Sequence, residues 1–195
     1  EVCFEVVDGN ATQRRKQFTA GASLTILNWE AVRLHSKLAG YGTIALTEKE
    51  KLPKELNEIG FRTVIADEAH KLGDPKSAQT RALWAVMHQA EFRFALTGTP
   101  VNEHVGDLCG LMHAVLPTWY PAKSRYLDRY AETSFGMWGG LEILGVNPRT
   151  DPERRAILEP TFRRIPKEVS LPQLPPKLPL AFRETPMTPK QALAY

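Results

Sequence analysis

A short apolar run that ends abruptly in two carboxylates is the feature that most constrains the fold of this chain. Thr63–Ala66 is rich in small and β-branched residues, and Asp67 and Glu68 follow at once. Such a run predicts a strand buried on both faces, as in a parallel sheet. Ligands of open α/β sheets bind beyond the carboxyl ends of the strands, and two unpaired charges cannot lie in a core. The pattern therefore indicates a site.

A hydrated Mg²⁺ on a nucleotide is the natural partner of Asp67 and Glu68, because this cation takes oxygen ligands and keeps several waters. The simpler alternative is a strand that ends in acids at a solvated turn, since turns favour Asp. A second stretch weighs against that alternative.

Phe92–Leu96 predicts another short strand, which runs into Thr97-Gly98-Thr99-Pro100. Its last residue lies thirty positions after Ala66, with a helical stretch between, and this is the length of a βαβ unit. Both polar strand ends should then meet at one edge of a parallel sheet. There the two threonine hydroxyls could hydrogen-bond the carboxylates or a phosphate-bound water. We expect the glycine between them to adopt a backbone conformation that a Cβ would resist.

These motifs carry a resemblance to a known family. Asp67-Glu68-Ala69-His70 and Leu96-Thr97-Gly98-Thr99-Pro100 resemble the second and third motifs of superfamily-two helicases and translocases. Residues 70–83 resemble the run H-R-I-K-N-P-x-S-x-x-T-x-A-L of the SWI/SNF-type DNA translocases. Residues 100–108 are similar to that family's P-x-x-N-x-x-x-E-L, with the Asn one place early and Asp for Glu.

The resemblance implies an α/β fold: a RecA-like P-loop NTPase three-layer sandwich with a parallel sheet, incomplete at its N-terminus, plus a helical insertion. Residues 1–116 would be the remainder of the first RecA-like lobe, which binds ATP. Residues 117–165 would form the helical insertion, and residues 166–195 a linker and the start of the second lobe.

The same resemblance implies ATP hydrolysis that drives movement on DNA. Asp67 would hold Mg²⁺ and Glu68 would activate the attacking water, so that both acids contact the ATP cofactor. His70 joins them as a catalytic candidate. Together with Thr97-Gly98-Thr99, this histidine would couple the nucleotide state to loops that face DNA, which we expect to be duplex. The second RecA-like lobe of the same chain is the other expected partner.

Two further pairs of residues are candidates for DNA binding. Arg14 and Arg15 belong to a basic stretch that predicts a short helix, although a solvated helix face explains them equally well. Asn28 and Trp29 follow the predicted strand at 23–27. The tryptophan is more often a core anchor than a platform for a base.

Other patterns give local predictions. Asp74-Pro75 predicts a helix start, with Asp as N-cap and Pro at the first helical position. Residues 105–116 predict a further helix. Residues 136–145 are glycine-rich and predict a loop.

Composition sets broad limits. The chain has 195 residues and a net charge of +3, which is compatible with nucleic acid without being evidence for it. No apolar run reaches the length of a membrane span. Cys3 and Cys109 lack metal-like spacing and predict reduced thiols. We therefore expect an intracellular protein, nuclear in a eukaryote and cytoplasmic in a bacterium or phage.

No Gly-x-x-x-x-Gly-Lys-Ser/Thr phosphate loop occurs in these residues, so we expect residues 1–195 alone to be nearly inactive. The alternatives are a helicase subunit of a restriction or antiphage system, and a catalytically inert scaffold for DNA or protein. The five histidines lack the spacing of zinc ligands, which argues against a zinc hydrolase.

Overall fold

The computed structural model describes residues 3–18, 22–118, 122–136 and 139–173. Its first part contains, in chain order, β1 (Phe4–Val7), α1 (Ala11–Gln17), β2 (Leu24–Leu27), α2 (Trp29–His35), α3 (Glu48–Lys51), α4 (Glu55–Ile59) and β3 (Thr63–Ala66). There follow a 3₁₀-helix (Ala69–Gly73), α5 (Ala78–Met87), β4 (Phe92–Ala95), a second 3₁₀-helix (Val105–Asp107) and α6 (Leu108–Val115). The last part contains α7 (Lys123–Tyr130), β5 (Ala131–Phe135), β6 (Leu141–Val146), α8 (Asp151–Leu158) and α9 (Lys167–Ser170).

The first four strands form two parallel pairs. Strand β1 pairs with β2, and β3 pairs with β4 from Thr63 opposite Phe92 to Ala66 opposite Ala95. The carboxyl ends of β2 and β3 lie at the same edge, because the Lys71 ammonium beyond β3 lies 5.7 Å from the Trp29 ring beyond β2. Within each pair the strands are parallel, as predicted for an α/β sheet.

The core lies between these strands and a layer of helices on one side. Helix α5 is buried all round, with Trp84 and Met87 fully inaccessible, and α2, α4 and α6 pack against it. The other face of the strands is open. The prediction that β3 is buried on both faces is wrong, since Ile65 is 59% exposed and Phe94 on β4 is 49% exposed.

Helix α5 begins later than Asp74-Pro75 indicates. Its N-cap is Ser77 and its first residue is Ala78. The Asp74 side chain instead accepts the N–H of Lys76 at 3.0 Å, and its carbonyl accepts the N–H of Ser77 at 3.2 Å. Asp74 therefore stabilises a local turn and is not the N-cap of α5. The predicted helix at 105–116 is confirmed as a 3₁₀ turn that continues into α6.

The predicted loop at 136–145 is wrong, because β6 begins at Leu141 and pairs antiparallel with β5. The segment after α6 thus carries a β-hairpin as well as helices. The Glu153 carboxylate on α8 ties this segment together by accepting from the Arg129 guanidinium at 2.5 Å and from the Tyr130 hydroxyl at 2.9 Å.

Contacts divide the chain into two units, Glu1–Arg155 and Ala156–Tyr195. The described part of the second unit contains the last residues of α8 and the whole of α9. Residues 174–195, where a linker and the start of a second lobe were expected, lie outside the described residues. No helix among the residues that the structure describes is long and apolar enough to cross a bilayer.

Candidate functional site

The two predicted carboxylates lie in a tight turn at the carboxyl end of β3. The Asp67 side chain accepts the backbone N–H of Glu68 at 2.9 Å, and both side chains are exposed. Glu68 has φ 51° and ψ 45°, and it is the one non-glycine residue with positive φ in the described ranges. A left-handed conformation costs a residue with a side chain on the order of 1–3 kcal/mol, and such strain concentrates at functional sites.

The turn aims the Glu68 side chain toward the 3₁₀-helix that follows. Its Oε2 atom lies 3.2 Å from Nδ1 of His70. The side chain of His70 is 32% exposed and that of Glu68 is 61% exposed. The predicted catalytic candidates Asp67, Glu68 and His70 are thus brought together beyond the end of β3, and the imidazole lies within ion-pair distance of the second carboxylate.

Backbone hydrogen bonds join this turn to the end of β4. The N–H of Leu96 donates to the Ala66 carbonyl at 2.8 Å, and the N–H of Ala69 donates to the Leu96 carbonyl at 2.8 Å. The Asp67-Glu68 turn and the Thr97-Gly98-Thr99 loop therefore start from adjacent, directly bonded positions. This is the shared sheet edge that the spacing of the two motifs predicts.

Within the loop, the threonines bond locally. The Thr97 hydroxyl oxygen accepts the backbone N–H of Thr99 at 3.1 Å. Gly98 does not adopt a left-handed φ, and a Cβ there would meet nothing within 4 Å. The prediction that this glycine relieves backbone strain is wrong, because the strained residue at this edge is Glu68.

Asp107 fixes the segment that leads out of this loop. One of its carboxylate oxygens accepts the backbone N–H groups of Asn102, Glu103 and His104 at 3.1, 2.9 and 3.2 Å. Burial alone would raise the pKa of Asp107, but the three N–H donors and the nearby His104 outweigh it, so the pKa is held below its ordinary value. The aspartate at the family's glutamate position therefore acts as a clamp on the loop backbone.

A glycine in α6 sets how closely that helix approaches the first 3₁₀-helix. A Cβ built on Gly110 would lie 1.7 Å from the carbonyl oxygen of Leu72. The Gly110 carbonyl in turn accepts the indole N–H of Trp84 at 3.1 Å. Sequence reasoning missed this contact, although a lone glycine inside a helical pattern is the signal for such a close approach.

Three of the predicted DNA-binding residues have partners within the chain. The Asn28 side chain caps α2 by accepting the N–H of Ala31 at 2.8 Å. The Trp29 ring lies under the Lys71 ammonium. The Arg15 guanidinium donates to Glu55 at 2.5 Å, although the Arg15 side chain remains 67% exposed.

Residues 6–195 match the SNF2-related domain family. The chain belongs to this family. The resemblance to SWI/SNF-type translocases drawn from the two motifs is thereby confirmed.

The SNF2-related chain is similar to proteins of named activity. It is 29% identical over 142 residues to the DNA annealing helicase and endonuclease ZRANB3 of Bos taurus, a match that covers 71% of the chain and 13% of the relative. It is 29% identical over 143 residues to the SWI/SNF chromatin-remodeling complex subunit snf22 of Schizosaccharomyces pombe, covering 69% of the chain and 8% of the relative. The chain spans less than a seventh of the length of these relatives.

A solved structure confirms the fold. The SNF2-related chain is similar to the Sulfolobus solfataricus SWI2/SNF2 ATPase core in complex with dsDNA, with a TM-score of 0.56 and 18% identity. The match covers 86% of the SNF2-related chain and 29% of the Sulfolobus chain. The predicted α/β, RecA-like architecture is therefore the observed one. The roles of individual residues remain predictions.

The donor set at the turn fits a magnesium–nucleotide site. Mg²⁺ in nucleotide enzymes keeps several waters and uses one or two carboxylates together with phosphate oxygens. Asp67 and Glu68 supply two exposed carboxylates at a sheet edge. No group of three or more His, Cys, Asp or Glu side chains able to hold a metal occurs in the described ranges.

Proposed function

We propose that this chain is part of an ATP-dependent DNA translocase, in which hydrolysis at the Asp67-Glu68 turn drives movement along duplex DNA. The observation that carries the proposal is the strained Glu68 turn, hydrogen-bonded through Ala69 to the start of the Thr97-Gly98-Thr99 loop. Family membership supports nucleotide use and action on DNA at the level of the family.

The chain's residues would divide the work. Asp67 would orient a hydrated Mg²⁺, and Glu68 would accept the proton of the attacking water, a role worth roughly 10²–10⁴ in rate. His70, within 3.2 Å of the Glu68 carboxylate, would hold that side chain in its working orientation. Mg²⁺–ATP, when bound, supplies the phosphoryl group and neutralises the charge that develops on it.

The hydrogen-bonded ends of β3 and β4 would couple ATP hydrolysis to movement of the loops that face DNA. Because Ala69 donates to Leu96, a shift of the Asp67-Glu68 turn pulls directly on the residue before Thr97. The hydrogen bonds that Asp107 accepts from residues 102–104 would hold that segment in place while the Thr97-Gly98-Thr99 loop moves. Duplex DNA, a second RecA-like lobe and an intracellular location, nuclear in a eukaryote, belong to the same proposal.

The test is Glu68→Gln in the full-length protein. The amide keeps the shape and hydrogen bonding of the side chain but cannot take a proton, so DNA-stimulated ATP hydrolysis should fall by about 10²-fold or more. Nucleotide binding, measured with a fluorescent ATP analogue, should survive. The matched control is Glu58→Gln, which neutralises an exposed carboxylate on α4.

Hydrolysis by Glu68→Gln within threefold of wild type would refute the assignment of the base. A wild-type protein that binds DNA yet hydrolyses no ATP would favour the inert scaffold instead.

A further inference from the structure

The 3₁₀-helix that follows Glu68 presents its side chains on three sides, because such a helix has about three residues per turn. Ala69 and Leu72 lie three positions apart on one side, and both are fully buried. His70 and Lys71 therefore project on the two remaining sides, away from the core. His70 is directed to the Glu68 carboxylate at 3.2 Å, whereas Lys71 is directed to a different element.

The partner of Lys71 is the Trp29 ring. The ammonium lies 5.7 Å from the ring centre, and Trp29 is the first residue of α2. Lys71 is exposed and forms no ion pair with a carboxylate in the described ranges, although Asp67 and Glu68 closely precede it. A cation within about 6 Å of a ring centre is attracted to the aromatic face, and tryptophan is the best such partner. This contact is therefore a cation–π pair that joins α2 to the segment beyond β3.

Trp29 is a well-anchored partner for this contact. The Asn28 side chain caps α2 by accepting the N–H of Ala31, and Ala31 and Val32 are buried. The Trp29 ring also packs against the hydrophobic core that contains α5. A lysine held on this ring is thus tied to a helix whose cap and core contacts do not involve the Asp67-Glu68 turn.

We infer that Lys71 is a positioning residue for Glu68 and that it acts through His70. This inference rests on the proposed role of Glu68 in ATP hydrolysis. Because His70 and Lys71 are adjacent on one short 3₁₀-helix, rotation of that helix about its axis would move both side chains together. The contact of Lys71 with Trp29 restrains the outer side of the helix, as burial restrains its inner side. The imidazole is thereby kept directed toward the Glu68 carboxylate.

The first test measures ATP hydrolysis by charge-removing variants of the full-length protein. Lys71→Met keeps an apolar side chain of similar length and removes the ammonium. It should lower kcat about two- to fivefold, the range that an exposed cation–π contact supports, and leave KM for ATP and the affinity for DNA unchanged. Lys71→Arg keeps a cation for the ring and should retain the wild-type kcat. The matched control is Lys76→Met, which removes an exposed lysine between the same 3₁₀-helix and α5 and should leave kcat unchanged.

A double-mutant cycle identifies the partner of the lysine. Trp29→Leu removes the aromatic face and keeps an apolar side chain, and it should lower kcat at least as much as Lys71→Met does. Adding Lys71→Met to Trp29→Leu should cause no further loss, because both substitutions remove the same interaction.

Hydrogen exchange tests the same restraint without ATP hydrolysis. The Ala69 amide at the start of the 3₁₀-helix donates to the Leu96 carbonyl, whereas the Leu96 amide donates to the Ala66 carbonyl at the end of β3. Lys71→Met should speed exchange of the Ala69 amide about two- to fivefold and leave that of the Leu96 amide unchanged. A full-length protein that hydrolyses no ATP would refute the proposed function, and the exchange rates would still show whether Lys71 restrains this helix.

Three results would overturn the inference. The first is a Lys71→Met protein whose kcat and Ala69 exchange rate match those of Lys76→Met. The second is a Lys71→Arg protein that hydrolyses ATP as slowly as Lys71→Met. The third is a Lys71→Met protein that binds DNA more weakly and with a smaller salt dependence, because that outcome would make Lys71 a phosphate contact.

Discussion

Replacing Gly110 by alanine tests the close approach of α6 to the 3₁₀-helix that follows Glu68. An ideal Cβ on Gly110 lies 1.7 Å from the carbonyl oxygen of Leu72 and 2.8 Å from its carbonyl carbon. Real Cβ contacts essentially never fall below 3.0 Å, so one backbone must move by roughly 1.3 Å. The obstacle is main chain in the 3₁₀-helix that follows Glu68, and no side-chain rotation relieves it.

The net cost follows from two opposing effects. Overpacking a core typically costs about 1–3 kcal/mol, and contact with backbone places this site at the upper end of that range. Alanine regains about 1 kcal/mol of helix propensity over glycine. We therefore expect Gly110→Ala to lower the free energy of unfolding by about 2 kcal/mol. At about 2–4 °C per kcal/mol for a chain of this size, Gly110→Ala should melt about 4–8 °C below wild type.

Thermal unfolding followed by circular dichroism measures this loss, with Gly40→Ala as the matched control. A Cβ on Gly40 meets nothing within 4 Å, and its φ lies outside the left-handed region. The control should melt at or slightly above the wild-type temperature, because alanine restricts the unfolded chain. A Gly110→Ala protein that melts at or above the wild-type temperature would refute the close contact between α6 and the 3₁₀-helix that follows Glu68.

Three further substitutions test other parts of the molecule. Asp107→Asn should cost about 1.5–3 kcal/mol at pH 7, where the carboxylate is charged. Because the folded-state pKa of Asp107 is lowered, this stabilisation is complete above the unfolded value of about 3.9 and fades as pH falls below it. The gap in unfolding free energy between wild type and Asp107→Asn should therefore narrow below pH 4, and a constant gap would contradict the charge argument. Replacing Thr97 and Thr99 together by alanine should leave some ATP hydrolysis but lower triplex displacement per ATP in the full-length protein, whereas an unchanged ratio reduces them to turn residues. Arg15→Ala should change the free energy of unfolding by less than about 1 kcal/mol, because the ion pair of Arg15 with Glu55 is exposed. The same substitution should weaken DNA binding if Arg15 contacts phosphate, whereas unchanged DNA affinity would mean that Arg15 only forms a surface ion pair.

The shared edge of β3 and β4 could be predicted because it depends on short-range patterns. The apolar run before Asp67 and the thirty-residue spacing to Leu96 fix both strand ends, and the hydrogen bonds between them follow from that register. The left-handed conformation of Glu68 could not be predicted in this way. Propensity favours glycine or asparagine there, and only tertiary context holds a glutamate in that conformation.

The predictions that the structure contradicts failed for equally local reasons. The side chain of Asp74 can cap a turn as readily as a helix, and here it accepts the N–H of Lys76 in a turn that precedes Ala78, the first residue of α5. The hairpin was missed because its glycines indicate a loop. The alternation of Leu141 and Ile143 and the positive φ of Gly139 identify it once the strands are seen. The open face of the sheet could not be read from composition, because an apolar strand predicts burial without identifying what covers it.

The left-handed turn at Glu68 sets the stability of this molecule against the proposed catalytic role of the Glu68 carboxylate. A glycine at position 68 would adopt φ 51° without the side-chain penalty, and would relieve on the order of 1 kcal/mol of strain. Under selection for stability alone, Glu68→Gly would therefore be favoured. The same change deletes the carboxylate that lies 3.2 Å from His70. A glutamate at a position where the backbone favours glycine costs stability, and the proposed role of its carboxylate in ATP hydrolysis would account for that cost.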